Sequence, residues 1–325
     1  MTGVHGWIVV DKPLGITSAG VVGRVKALAR RVGWGKVKVG HGGTLDPLAT
    51  GVLPIALGEA TKLSGRLLDA VKAYRFEVSF GTATATDDAE GAVVAVSPVR
   101  PSLTAVEAVL GRFTGAIAQR PPAYSALKVD GERAYARARA GEDFVLAERG
   151  VTVFELGALL YPGAGAPVPL PRDAGEGQAQ RSGARVREGR LLDAVTLEVV
   201  CSKGTYVRSL ARDIAVALGT VGHVTLLRRT RAGPFGEERA WTLDTLQGMC
   251  DTQTLADAVL PITAGLDDIP AFAVDPDEAA LLRQGRRLAG RPGRSGLHLA
   301  MLGEVPVALV AVSSDEVRVE RGFNL

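Results

Sequence analysis

Apolar residues recur along this chain with two periods, and the switches between them lay out its elements. Gly6–Val10 (GWIVV) is a short apolar run that predicts a buried strand, closed by a turn at Asp11-Lys12-Pro13-Leu14-Gly15. From Ser18 to about Arg31 the period changes: Val21, Val22, Val25 and Leu28 share one helical face, Lys26 and Arg30 lie opposite, and Ser18 is placed to cap the helix. Val52–Leu57 predicts a strand and Ala60–Leu68 a helix. Tyr74, Phe76, Val78 and Phe80 then alternate with Arg75, Glu77 and Ser79, the pattern of a half-buried strand.

Beyond a loop at Thr82–Gly91, Thr104–Phe113 is amphipathic and opens with the Thr104…Glu107 spacing of a capping box. A basic helix at Glu132–Arg139 precedes strands at Val151–Leu160 and Leu191–Val200. Val207, Leu210, Ala211 and Ile214 line the buried face of a helix that ends at Gly219. His223–Arg229 is a strand with a basic end. Near the C-terminus, Asp275-Pro276-Asp277-Glu278 starts a helix with Pro at its first position and acids in its first turn, and Val305–Val312 and Val317–Arg321 are strands. The stretch Tyr161–Arg190 has no period; rich in Gly, Ala, Pro and Arg, it is expected to be an inserted, flexible surface loop.

A length of 325 residues suits one large domain or a large and a small one, and a composition of 46% hydrophobic and 22% charged residues excludes a wholly disordered chain. The net charge of +3 says little; its distribution says more. Residues 1–75 hold eleven Lys/Arg against four acids, with none between Lys12 and Leu45, a bias that suits a polyanion or, equally, a solvated basic face. Two distant cysteines indicate no disulfide framework and a reducing, cytoplasmic setting. The chain begins without signal-peptide character, and no run reaches the ~20 apolar residues of a membrane span, so no membrane partner is expected. Four His and two Cys, without HExxH, paired CxxC or P-loop, point to no metal and no cofactor.

The densest chemistry lies in Gly40–Lys62, GHGGTLDPLATGVLPIALGEATK. Glycines lead into Asp46, the only acid between Lys12 and Gly58, and Pro47 biases Asp46 toward an extended, rigid corner. Read alone, an Asp before Pro is more often a turn former or helix cap than an active-site group.

The wider wording alters that balance. Gly40-His41-Gly43-Leu45-Asp46-Pro47-Ala49-Gly51-Leu53-Pro54 resembles the G-H-x-G-x-L-D-P-x-A-x-G-x-L-P motif of the TruB family of tRNA pseudouridine synthases. The Asp11-Lys12-Pro13 opening, Lys72-Ala73-Tyr74, the segment ending Ser125-Ala126-Leu127-Lys128, Cys201-Ser202-Lys203-Gly204-Thr205-Tyr206-Val207-Arg208 and His223–Arg229 resemble the same family in the same order. One departure stands out: in the family's T-D-T-x-D-x-x-G pattern, Thr84, Thr86, Asp88 and Gly91 match but Ala85 replaces the first Asp, with Asp87 available two residues on. The resemblance covers roughly residues 6–245.

It implies an α+β fold, a mixed, largely antiparallel sheet with flanking helices, as a catalytic domain over 1–250 carrying the 161–190 insertion. A small β-rich, PUA-like RNA-binding module would follow at 271–325. It implies that Asp46 is the nucleophile, Arg208 its ion-pair partner and Tyr74 the aromatic group against the flipped base. His41, Tyr206 and Leu227 would join Tyr74 in binding substrate, and Lys12, Lys62, Lys128 and Arg228 would contact RNA. The expected substrate is the T-arm of tRNA, at uridine 55, with no metal, cofactor or obligate protein partner. Three other readings remain open. A guide-RNA-dependent synthase would be inactive on bare tRNA, and a non-catalytic tRNA chaperone would keep its effect without Asp46. A carboxylate glycosidase would need a second acid in the site, which the motif does not supply.

Overall fold

The computed structural model describes residues 3–125, 127–129, 131–140, 142, 144, 146–159, 191–289 and 295–325. The expected insertion at 161–190, with Arg172, Arg181, Arg185, Arg187 and Arg190, lies outside the described residues, as do Arg291 and Arg294. The chain forms two compact units, one of Met1–Lys72 with Arg228–Leu325 and one of Ala73–Leu227. These units divide the chain elsewhere than at the expected boundaries of 250 and 271. Among the described residues no helix is long and apolar enough to cross a membrane.

In the first unit, Gly6–Lys12 runs antiparallel to Ala49–Leu57, with Gly6 opposite Leu57 and Lys12 opposite Gly51. Trp241–Thr242 adds a parallel neighbour to Gly6–Lys12, and Val39–His41 pairs antiparallel with Ala49–Leu57, so the sheet is mixed but mostly antiparallel. The Ala49–Leu57 strand is buried at nearly every position, which explains its continuous apolar run in place of an alternating one. Helix Ser18–Arg31 packs on this layer through Val21, Val25, Leu28 and Ala29. Its cap is Thr17, whose hydroxyl accepts from the Gly20 amide; Ser18 is buried and has another task. The predicted Ala60–Leu68 helix is divided, a 3-10 turn over Gly58–Leu63 continuing as an α-helix over Ser64–Asp69.

The C-terminal segment forms a five-stranded sheet in which Gly296–Leu302, Val305–Val312 and Glu316–Gly322 make an antiparallel meander, with Ala271–Ala273 parallel on one edge. Its helix, Pro276–Arg283, opens with the predicted capping box: the Glu278 amide donates to Asp275 at 2.8 Å and the Asp275 amide donates to Glu278 at 3.1 Å. The sheet has its own apolar cluster around Leu282, Val307, Val310 and Val317. Leu299, Leu309 and Phe323, however, join Trp7, Val52, Leu63 and Phe235 in a second cluster, so this segment shares a core with the N-terminal strands.

In the second unit, strand Arg149–Ala158 lies between Gly115–Gln119 and Ala194–Cys201, antiparallel to both, and Lys72–Phe80 follows Ala194–Cys201 in the sheet order. The alternation Phe76, Val78, Phe80 is buried as predicted. Helix Leu103–Leu110 is capped by Ser102, which accepts from the Ala105 amide, two residues before the expected Thr104. Helix Val207–Ala217 buries Val207, Leu210, Ala211 and Ile214 as expected, and Gly219 follows it with a φ of 74°. Strand Gly222–Ala232 carries the chain from this unit back into the first.

Candidate active site

Asp46 is half-buried on a loop held from three directions. Ser18 Oγ accepts from the Leu45 amide at 2.8 Å and donates to the Leu45 carbonyl at 3.0 Å. Lys12 donates to the carbonyls of Pro13, Ile16 and Pro47 at 3.0, 2.7 and 3.2 Å, and the Gly15 amide donates to the Pro47 carbonyl at 2.8 Å. Arg229, 1% exposed, donates to the carbonyls of Val52, Thr44 and Gly43 at 2.7, 3.3 and 3.1 Å. These bonds fix backbone on both sides of Asp46, which makes a rigid carboxylate platform. Gly51 is required here: its φ is 98°, and a Cβ would stand 2.2 Å from the Arg229 carbonyl oxygen.

His41 lies at the end of strand Val39–His41, five residues before Asp46. Burial, then the Arg229 guanidinium, hold its ring below the ordinary imidazole value. The Gly43 amide donates to His41 Nδ1 at 3.4 Å, so the neutral ring carries its proton on Nε2.

Two residues expected to contact RNA are instead structural. Lys12 is fully buried, its ammonium given to backbone carbonyls of the Asp46 loop and the turn before it. Arg228 is 7% exposed, forks onto Asp11 with two bonds of 3.0 Å and also pairs with Glu237. Burial of both follows from their neighbours on buried strands, and each is satisfied by protein groups. Lys62 is partly exposed, bound to Glu59 at 2.6 Å and to the Gly322 carbonyl at 2.8 Å. For Lys128 only the backbone is described, paired across a two-strand turn with Arg133.

In the second unit, Tyr74 is half-buried on strand Lys72–Phe80 and Leu227 is buried on Gly222–Ala232. Tyr206 caps helix Val207–Ala217, and the Gln119 side chain grips its backbone twice, accepting from the amide at 3.1 Å and donating to the carbonyl at 3.4 Å. Arg208 follows in the first turn. Its guanidinium donates to Asp88 Oδ2, the Thr86 carbonyl and the Tyr124 carbonyl, each at 3.0 Å. Asp88, 2% exposed, accepts in turn from the Thr86 hydroxyl and, at 3.0 Å, from the Glu90 amide. Asp88 thus balances a buried guanidinium, a function visible in the sequence only as a matched motif position. Asp87, two residues beyond Ala85, gives its carboxylate to Arg212 at 2.8 Å.

Residues 30–168 match the model of the TruB family pseudouridylate synthase N-terminal domain, and residues 208–267 match that of the tRNA pseudouridylate synthase B C-terminal domain. The chain is 52% identical to tRNA pseudouridine synthase B of Novosphingobium aromaticivorans, across 99% of this chain and 98% of that one. The chain belongs to the TruB family. The enzyme of the same name from Zymomonas mobilis is 47% identical across 99% of this chain and 96% of its own length. Among solved structures, a Cbf5–Nop10–Gar1 complex contains a chain superposing with a TM-score of 0.67 at 26% identity, covering 98% of this chain and 84% of that one. A chain from an H/ACA RNP bound to a substrate RNA containing 2'-deoxyuridine superposes with a TM-score of 0.68 at 24% identity, over 98% of this chain and 85% of that one. Both show the pseudouridine synthase fold, the mixed sheet with flanking helices that the sequence implied. Membership of the TruB family makes the chain a pseudouridine-forming isomerase. Within that family the Arg229 clamp is the feature sequence reading passed over, since His223–Arg229 marks it only as the basic end of a strand.

Proposed function

We propose that this chain isomerises uridine 55 in the T-loop of tRNA to pseudouridine in the cytoplasm, with Asp46 as nucleophile. The reading is carried by the full-length likeness to relatives named tRNA pseudouridine synthase B. The rigid seat of Asp46 supports it, because a nucleophile held in place does not have to be ordered at each turnover. The reaction breaks the N-glycosidic bond and joins the same sugar carbon to a base carbon. That base carbon loses a proton and the departing nitrogen gains one, so atoms and electrons balance without a redox partner. A carboxylate attacks only while ionised. Arg208 is the cation we assign as its partner, with fork geometry suited to a carboxylate.

A stacked base is out of reach until it is flipped. Tyr74 receives the flipped uracil and takes part in the late proton transfer, while Tyr206 and Leu227 line its pocket and His41 contacts the RNA loop. The exposed basic face of helix Ser18–Arg31 and the segment after it, with Lys26, Arg30, Lys36 and Lys38, meets phosphates. The end of helix Pro276–Arg283 and the turn after it, with Arg283 and Arg286 exposed, add a second RNA-facing surface.

The test is conversion of unmodified tRNA transcript by purified protein, with pseudouridine mapped by nucleotide, wild type beside Asp46→Asn. Conversion at the T-loop uridine by wild type alone is expected. Full conversion by Asp46→Asn would remove the carboxylate from the mechanism. No conversion by wild type, with tRNA still bound, would favour a guide-dependent or binding-only protein.

A further inference from the structure

Behind Arg208 stands a second arginine–aspartate pair. Arg208 and Arg212 are one turn apart on helix Val207–Ala217, so they project on one face. They take consecutive carboxylates of one turn: Arg208 Nη1 donates to Asp88 at 3.0 Å and Arg212 Nη1 to Asp87 at 2.8 Å. Both arginines also bond the segment that precedes Ser125, Arg208 at the Tyr124 carbonyl (3.0 Å) and Arg212 at the Arg120 carbonyl (2.9 Å), where Ser209 Oγ joins at 2.8 Å. The Asp87–Arg212 pair is largely withdrawn from solvent, with side chains 15% and 27% exposed.

The backbone of the turn is specialised for this arrangement. Asp87 has a φ of 58°, one of two non-glycine residues among those described to adopt a positive value. The left-handed region is uncommon for residues other than glycine, and Asp and Asn are among the few that enter it readily. Here the Asp87 amide donates to the Thr84 carbonyl at 3.2 Å and its carbonyl accepts from the Val224 amide at 3.1 Å. Burial pushes the Asp87 carboxyl up, and the Arg212 guanidinium opposes that.

We propose that Arg212 and Asp87 are positioning residues, a second ion-pair layer that holds the Asp88 turn and thereby the Arg208 guanidinium in its working orientation. This rests on the reading of Arg208 as partner of the nucleophile. The pair touches no reacting atom; it acts by fixing the carboxylate and carbonyls that grip Arg208.

Asp87→Asn is the cleanest variant, because Asn tolerates a left-handed backbone and keeps the shape while losing the charge. Arg212→Gln, the double variant and Arg208→Lys complete the set. Each is assayed on unmodified tRNA transcript below its own unfolding transition, with kcat and KM separated. The expected result is a kcat lower by about tenfold in each of Asp87→Asn and Arg212→Gln, with KM within about threefold of wild type. The double variant should be no slower than Arg212→Gln, since that substitution already removes the interaction lost in Asp87→Asn, together with the bonds of Arg212 to Asp213 (2.9 Å) and to the Arg120 carbonyl. Wild-type kcat in Asp87→Asn, with Arg208→Lys impaired, overturns the layer, even where its melting temperature falls. Additive losses in the double variant overturn it too. Wild-type kcat in Arg208→Lys overturns the underlying role of Arg208 and the layer with it. If Arg212→Gln does not fold, Asp87→Asn decides alone.

Discussion

Ser18 Oγ and the backbone of Leu45 exchange two hydrogen bonds, accepting from the amide at 2.8 Å and donating to the carbonyl at 3.0 Å, one residue before Asp46. Both partners are buried, so Ser18→Ala strands an N–H and a C=O away from water. Each unpaired group costs roughly 1–3 kcal/mol, and the loss falls on the loop that carries Asp46. The variant should unfold at lower urea and turn over more slowly, by roughly tenfold if about 1.4 kcal/mol of positioning is lost. Equal urea midpoints for Ser18→Ala and wild type would show that the loop is held without this bond.

Gly51→Ala should be more damaging than its single methyl suggests. The added carbon meets the Arg229 carbonyl at 2.2 Å, and the backbone sits at a φ of 98°. Strain of this kind costs roughly 1–3 kcal/mol before the clash is counted. Arg229 holds Gly43, Thr44 and Val52, so its displacement loosens the Asp46 loop at both ends. A drop in melting temperature with a matching loss of kcat is expected; an unchanged kcat at a temperature where both proteins are folded would contradict the coupling.

These two positions show what was legible and what was not. The motif placed Asp46, the apolar periods placed Gly6–Lys12, Lys72–Phe80 and Val207–Ala217, and Asp275, Pro276 and Glu278 announced their capping box because each of its bonds is local. Ser18 was legible as a polar residue at a helix start, but Thr17 is the cap, and only the packing of Leu45 decides which hydroxyl does which task. Lys12 and Arg228 read as exposed cations for the same reason: a sequence shows that a side chain is charged, not that carbonyls 35 residues away or an acid 217 residues away await it. The shared core of Trp7 with Phe323 is equally non-local, so the compact units could not be cut from periodicity.

His41 links pH to stability with a definite sign. Burial and Arg229 lower its pKa in the folded state below the ordinary value of about 6.5. The unfolded chain then binds the proton more readily. The contribution to stability is complete above the unfolded-state pKa and is lost as pH falls through the folded-state value. Wild type should therefore lose stability between about pH 7.5 and 5 by more than His41→Gln does, in urea titrations run side by side. Parallel pH profiles would place the titration elsewhere.

The basic face of helix Ser18–Arg31 gives a prediction about substrate. Lys26, Arg30, Lys36 and Lys38 are exposed, and among the described residues none of the four sits in an ion pair, whereas Arg31 pairs with Asp251 at 2.7 Å. Lys26 and Arg30 lie in the second half of this 14-residue helix, about 20 Å long at its usual rise, whose first residue Ser18 bonds Leu45; Lys36 and Lys38 follow on the segment that leads into Val39–His41. Changing the four to Gln should raise KM for tRNA and leave kcat near wild type, because phosphate binding far from the reacting base is uniform between ground state and transition state. For every phosphate no longer neutralised, the slope of log affinity against log salt should flatten by about 0.7–0.9. Arg31→Gln is the internal comparison: its charge is already answered by Asp251, so its effect should be the smaller. A quadruple variant with the wild-type salt slope would show that RNA does not use this face, and a fall in kcat at saturating tRNA would show that these cations act on the reacting nucleotide and not on its flanks.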